Sequence, residues 1–214
     1  MRENTCYEWG GGVSVYDSHA SLIGDLIVDN TAYDGGAGLF LEDSDAELTN
    51  SVVVDNHNFF GSSGIGLHAV DSSACLVHAT FARNTGGTGG GIQVSSGSLW
   101  VTNTIVVSHT VGVFATAGST ATANGVLWYS NTMASYAGNG SFTLAHTITG
   151  TPAFAADGYH VTTGSVAIDA GVMAGVGTDV DHEPRSGVPD LGADEYWAPG
   201  ALKRAYLPVV ARDG

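Results

Sequence analysis

Positive charge is scarce in this chain: six lysines and arginines stand against 21 aspartates and glutamates over 214 residues, a formal net charge of −15. Nucleic acid and anionic membrane surfaces both need basic patches, so the balance argues against either as a partner and leaves cations as the open ligand class. Long apolar runs are missing too. No stretch reaches the ~18 consecutive apolar residues of a membrane span, and the Met1-Arg-Glu-Asn4 opening has no apolar signal core. Helix-forming runs are absent. Cysteine is limited to Cys6 and Cys75, which the repeat described next sets about three coils apart, roughly 14 Å. A disulfide spans at most ~7 Å between Cα atoms, so both are expected as free thiols, Cys75 as a small apolar filler.

What the chain has instead is a repeat. An Asn or its stand-in returns at Asn4, Asn30, Asn56, Asn84, His109 and Asn131, at spacings of 26, 26, 28, 25 and 22 residues. Seventeen residues before each member from Asn30 onward stands Val13, Leu39, Leu67, Ile92 or Phe114, the first four after a Gly-rich turn. Each opens an alternating stretch, as in Val13-Ser-Val15-Tyr16 and Leu39-Phe-Leu41-Glu42, with the period of two that marks strands. After a turn marked by Asp17, Asp43, Asp71 and Ser96, a second stretch alternates from Leu22, Leu48, Leu76 and Val101. Gly24, Asn50, His78 and Asn103 share one slot there, expected to point inward, to bend the strand and to bond the coil above. Ile27, Val53, Phe81 and Val106 are then expected outward, an apolar stripe for the Tyr206–Val210 tail segment or a protein partner to cover.

A unit of this size cannot bury its apolar face alone and stacks on its neighbours. About 25 residues per coil, three strands, Gly turns supplied by 31 glycines and internal Asn ladders describe an all-β, right-handed parallel β-helix of about five to six coils with a C-terminal cap segment. The organisation expected is coils over residues 1–150, a C-terminal module over 151–196 and a tail over 197–214. Asn4 already occupies the ladder position, so the chain is expected to begin inside a coil, with its first strands unpaired and open to end-to-end self-association.

After Asn131 the grammar changes. Thr151-Pro-Ala-Phe154, Tyr159-His-Val161, Gly164-Ser-Val-Ala-Ile168-Asp-Ala-Gly171, Asp179-Val-Asp181, Arg185 and Asp190-Leu-Gly192-Ala-Asp-Glu195 follow in order. This order resembles the C-terminal module of bacterial right-handed β-helix repeat proteins, the choice-of-anchor Q branch of the pectate-lyase-like superfamily. The likeness covers Thr151 to Tyr196 and is echoed by Asn124–Asn131. It implies an exported or cell-surface solenoid and no particular reaction. One departure is His182, where that family carries glycine after the second Asp.

Candidate sites follow from this frame. Asp179, Asp181 and Asp190 form a possible calcium set, since Asp-x-Asp presents two carboxylates to one ion. Against it, Arg185 pairing with Asp190 or Glu195, and Asp169 and Asp179 capping turns, explains the same acidic segment without a cofactor. Along the first strand of each coil, Tyr16, Phe40, Glu42, His68 and Gln93 form a candidate carbohydrate-contacting face. Glu42, Asp43, Asp45 and His68 are the candidate catalytic groups of a glycoside hydrolase or lyase. The face lacks the Lys or Arg of a pectate-lyase-like eliminase, and neither the Arg-x-Lys clamp nor the Gly-His-Gly of a polygalacturonase-like hydrolase occurs. Asp17, Asp43 and Asp71 also have a structural reading, accepting backbone N–H groups at tight turns. The balance favours a structural, adhesive or carbohydrate-contacting solenoid without catalysis, the alternative being a polysaccharide-active enzyme centred on Glu42.

Overall fold

The computed structural model describes residues 1–60, 64–87 and 90–200. The Tyr206–Val210 segment lies outside them. Among the described residues the chain is all-β, and its parallel strands stack as a solenoid of about six turns. The first sheet sets the count, with six strands: Val13–Tyr16, Leu39–Glu42, Leu67–Val70, Gly90–Ser95, Val111–Ala115 and Ala134–Gly138. A second and a third strand complete each coil, and from Ser98–Val107 onward the two run as one bent strand. The early coils add a short fourth strand: Thr5–Cys6, Thr31–Ala32, His57–Asn58 and Thr85–Gly86. Among the described residues no helix is long and apolar enough to cross a membrane.

Each corner that follows the first, second or third strand of a coil holds one residue with positive φ. In the second coil these are Asp43 (φ 48), Asn50 (φ 50) and Asp55 (φ 58); in the third, Asp71, His78 and Arg83; in the fourth, Ser96, Asn103 and Ser108. Asn, Asp and Gly adopt this left-handed conformation most readily, which is why they mark the corners. The Asp43 carboxylate makes no hydrogen bond among the described residues; its contribution is conformational, not the acceptor role expected at these turns.

A left-handed residue between two strands shifts the alternation by one, as a bulge does. The third strand therefore faces the opposite way from the uninterrupted reading. Ile27, Val53, Phe81 and Val106 point inward and pack with Leu22, Leu39, Leu41 and Leu48 in the main core. Val28, Val52, Val54, Ala82, Ile105, Val107 and Leu127 form the outward stripe, which Val161, Ala167, Leu191 and Ala193 of the C-terminal segment cover. The slot expected to point inward is the corner itself; His78 Nε2 and Asn103 Nδ2 meet between coils as expected (3.0 Å), while the side chains of Asn50 and Asn103 turn to that same segment. Asn103 Oδ1 accepts the Val172 N–H (2.8 Å) while its Nδ2 donates to the Val172 carbonyl (2.6 Å), and Asn50 Nδ2 donates to the Thr178 carbonyl (2.7 Å). Phe114 is also displaced: Ile92 pairs with Val113, and Phe114 lies beside Gln93, because the turn between Ala115 and Thr120 holds one residue more than that between Val94 and Ser98.

The interior ladder forms as the spacing predicts. Asn4 Nδ2 donates to Asn30 Oδ1 (2.8 Å), Asn30 to Asn56 (2.9 Å), Asn56 to Asn84 (2.9 Å) and Asn84 to His109 Nε2 (3.1 Å). Each Oδ1 also accepts the backbone N–H of the preceding member. Glycine makes room for this column. A Cβ on Gly38 would stand 2.4 Å from the Gly66 carbonyl oxygen and 3.3 Å from Asn56 Nδ2. A second, serine ladder runs at the first turn, where Ser44 and Ser72 hydroxyls accept the N–H groups of Ser18 and Ser44 (3.1 and 3.0 Å).

The ladder generates two predictions. Asn56→Leu strands the amides of Asn30 and the carbonyls of Ile27 and Val54, at about 1–3 kcal/mol for each buried group left unpaired; denaturant titration reads the loss, and a midpoint equal to the parent's would remove the ladder from the stability argument. His109 accepts from Asn84 only when neutral, and burial lowers its pKa to about 4. Since an unfolded histidine titrates near 6.5, the unfolded state binds more protons between pH ~6.5 and ~4, and stability falls as pH drops through that window. His109→Asn keeps the ladder and should flatten the acid limb by up to ~1.4 kcal/mol per pH unit, measured as unfolding free energy against pH.

Candidate functional site

Three surfaces carry chemistry, and the first is the outward row of the first sheet. Ser14, Phe40, His68 and Gln93 align coil by coil, as do Tyr16, Glu42, Val70 and Ser95. Phe40 (4% exposed) and His68 (5%) are covered, because Trp9, in the segment entering the Gly-rich turn, folds over them with ring centroids 5.0 and 5.4 Å away. Burial holds His68 at a pKa of about 4, a neutral ring rather than a solvated or basic one. Tyr16 and Glu42 stay exposed and Gln93 is half-buried. The cross-strand neighbours of Glu42 are Tyr16 and Val70, so no second carboxylate flanks it in the sheet.

The second surface is the outward face of the second sheet, where an open depression of ≈ 330 Å³ is lined by His19, Asp45, Glu47, Ser73, Cys75 and Trp100. Alternation along Asp45–Thr49 sends both carboxylates outward and Ala46 and Leu48 into the core. Register does the rest. Glu47, Cys75 and Trp100 stand on successive coils, and Asp45 lies between His19 and Ser73. Trp100 is 46% exposed. Cys75 is thus a surface residue of this depression and not a core filler; burial, and then the Glu47 charge, raise its pKa and keep the thiol protonated. Both cysteines are free. Of the candidate catalytic residues, Asp45 alone lines the depression; Glu47 and Trp100 were not singled out in the sequence, although the alternation of Asp45–Thr49 already turns Glu47 to the side of Asp45.

The third is the C-terminal segment. Asp179, Asp181 and Asp190 do not converge. Asp179 is consumed by the backbone N–H groups of Asp181 (3.0 Å), Glu183 (2.8 Å) and Glu195 (3.1 Å), and Asp190 by those of Asp169 and Tyr196 (both 2.7 Å). These bonds tie together a segment with no strand ladder of its own. Arg185 anchors it: Nη1 reaches Glu195 Oε2 (3.2 Å), and Nη2 donates to the Gly192 and Ala193 carbonyls and to Asn50 Oδ1. Burial raises Asp190 and Asp194 to about 6, against the pull of their backbone N–H partners. Asp181 points elsewhere, onto His160 Nε2 (2.6 Å), while His160 Nδ1 meets Asp157 (2.6 Å). Burial lowers the His160 pKa, but the bonds to Asp157 and Asp181 outweigh it and the net shift is upward. His160, Asp181 and Asp194 line an open cleft of ≈ 580 Å³ with Thr162 and Trp197.

Arg185→Met leaves the Glu195 carboxylate buried without its partner, so stability should fall by about 3–5 kcal/mol, whereas Arg185→Met with Glu195→Gln should recover part of it. Thermal unfolding of the single and double variants checks this; equal losses in both would place the effect in packing rather than charge. No protein-family model, no curated protein and no solved structure matches this chain.

Proposed function

We propose that the protein is a secreted or cell-surface solenoid with a carbohydrate-contacting role, and that contact is made on the second-sheet face rather than around Phe40 and His68. The observation that carries this reading is Trp100, an exposed indole that lines an open depression together with Asp45, Glu47, His19 and Ser73. An indole offers a flat apolar face to the C–H groups of a sugar, and carboxylates and hydroxyls accept its O–H groups. Successive coils repeat at ~4.8 Å, so the depression continues as rows along an extended chain. The acidic surface disfavours anionic polymers, and a neutral or amine-bearing glycan is the class proposed. Export rests on the likeness of residues 151–196 to the choice-of-anchor Q module of the pectate-lyase-like superfamily. The edges of Val13–Tyr16 and His19–Ile23 pair on one side only among the described residues, which suits end-to-end association with a second copy.

A second reading is glycoside hydrolysis, favoured by the placement of Asp45 and Glu47 two residues apart on one face, their Cα atoms ~7 Å apart. A screen against neutral, amino and acidic polysaccharides separates the two. The first reading expects binding without new reducing ends, weakened at least tenfold by Trp100→Ala and little changed by Glu42→Gln. Reducing ends that vanish in Asp45→Asn or Glu47→Gln would establish the second. Binding that survives Trp100→Ala would overturn the placement of the contact.

A further inference from the structure

His160, Asp181 and Asp194 come from three separate stretches of the C-terminal segment, yet their ligand atoms lie within 4.8 Å of one another at the cleft. The histidine is aimed. Asp157 Oδ2 holds Nδ1 at 2.6 Å, and two backbone N–H groups, of Tyr159 and His160, fix Asp157 Oδ1 at 3.1 Å. A carboxylate on one ring nitrogen that turns the other toward further ligands is the orientation found behind metal-bound histidines. Asp194 supplies an independent sign. It is only 5% exposed, its Oδ2 accepts the Val161 N–H at 2.7 Å, and its Oδ1 has no hydrogen-bond partner among the described residues. Arg83 and Arg185 are committed to Asp55 and Glu195. Three carboxylates, those of Asp157, Asp181 and Asp194, therefore surround one imidazole.

From this geometry we infer that His160 Nε2 and the carboxylates of Asp181 and Asp194 bind one divalent transition-metal ion of the zinc class. Zinc takes nitrogen and carboxylate oxygen at ~2.0–2.2 Å, and three protein ligands leave coordination positions open to the cleft. Ligand atoms around such an ion stand ~3–3.5 Å apart. Nε2 and Asp181 Oδ2, now 2.6 Å apart, open slightly, and the half-exposed Asp181 side chain has the freedom to do so. Calcium fits poorly, because it asks for six to eight oxygens and the set offers a nitrogen and two carboxylates. The ion would staple the Asp157–Val161 turn, the Asp181 loop and the stretch that carries Asp194 to one another.

The experiment is isothermal titration of the full chain, freed of metal by chelator, with Zn²⁺ and separately with Ca²⁺ near pH 7.5. One zinc per chain is expected, at least tenfold tighter than calcium, with a rise in melting temperature that chelator reverses. His160→Gln should abolish the stoichiometric site. Asp181→Asn, at a half-exposed side chain, should weaken it at least tenfold, and Asp157→Asn, which only turns the imidazole, should weaken it by 10–100-fold. Equal affinity for calcium, no stoichiometric zinc, or zinc binding unchanged in both His160→Gln and Asp181→Asn would each overturn the inference.

Discussion

One left-handed residue at each corner after the first, second and third strands decides the rest of this molecule. It turns the chain from each strand of a coil to the next, and it shifts the side-chain alternation by one between the second strand and the third. The inner face of the third strand is thereby Ile27, Val53, Phe81 and Val106, and the outer face becomes apolar at Val28, Val52, Val54, Ala82 and Ile105. A parallel sheet with two apolar faces must be covered on both. The C-terminal segment is that cover, and its irregular backbone is possible because the corner side chains of Asn50 and Asn103 satisfy its peptide groups.

The corners fix direction, whereas the ladders fix register. An Asn column bonded both side chain to side chain and side chain to backbone tolerates no slip, since a coil displaced by one residue would leave several buried amides unpaired. The glycine row at Gly12, Gly38 and Gly66 belongs to the same device, because a Cβ there would meet the next coil's carbonyl and the ladder amide. The His109 ring enters the column as an acceptor through Nε2, so this one rung is sensitive to acid while the Asn rungs are not.

The fold was legible where a period of 22 to 28 residues repeated a residue type, as with the Asn column and the first-strand openers. It was misread where geometry breaks a period. Nothing in Leu48-x-Asn50-x-Val52 states that Asn50 is left-handed, although Asn or Gly recurring at one slot was the available signal. The extra residue in the Ala115–Thr120 turn displaced Phe114 by the same mechanism, a count carried across an insertion. The candidate sites were harder still. His68 and Phe40 alternate outward as expected, but Trp9, far away in sequence, buries them. His160 and Asp181 meet through a segment without strand periodicity, where spacing carries no information about proximity.

Burial sorts the acidic groups into two kinds. In the C-terminal segment Asp179, Asp190 and Glu195 serve as acceptors for backbone N–H groups, with a single arginine to balance them. On the second sheet Asp45 and Glu47 are free of such duty and project from a strand whose neighbours lock it on both sides. A surface held in this way has little conformational freedom to lose, so a ligand meeting Trp100, Asp45 and Glu47 binds without first ordering its site. The rigidity that the corners and ladders impose on the interior is therefore also what fits the outer face of the second sheet for contact with an extended chain.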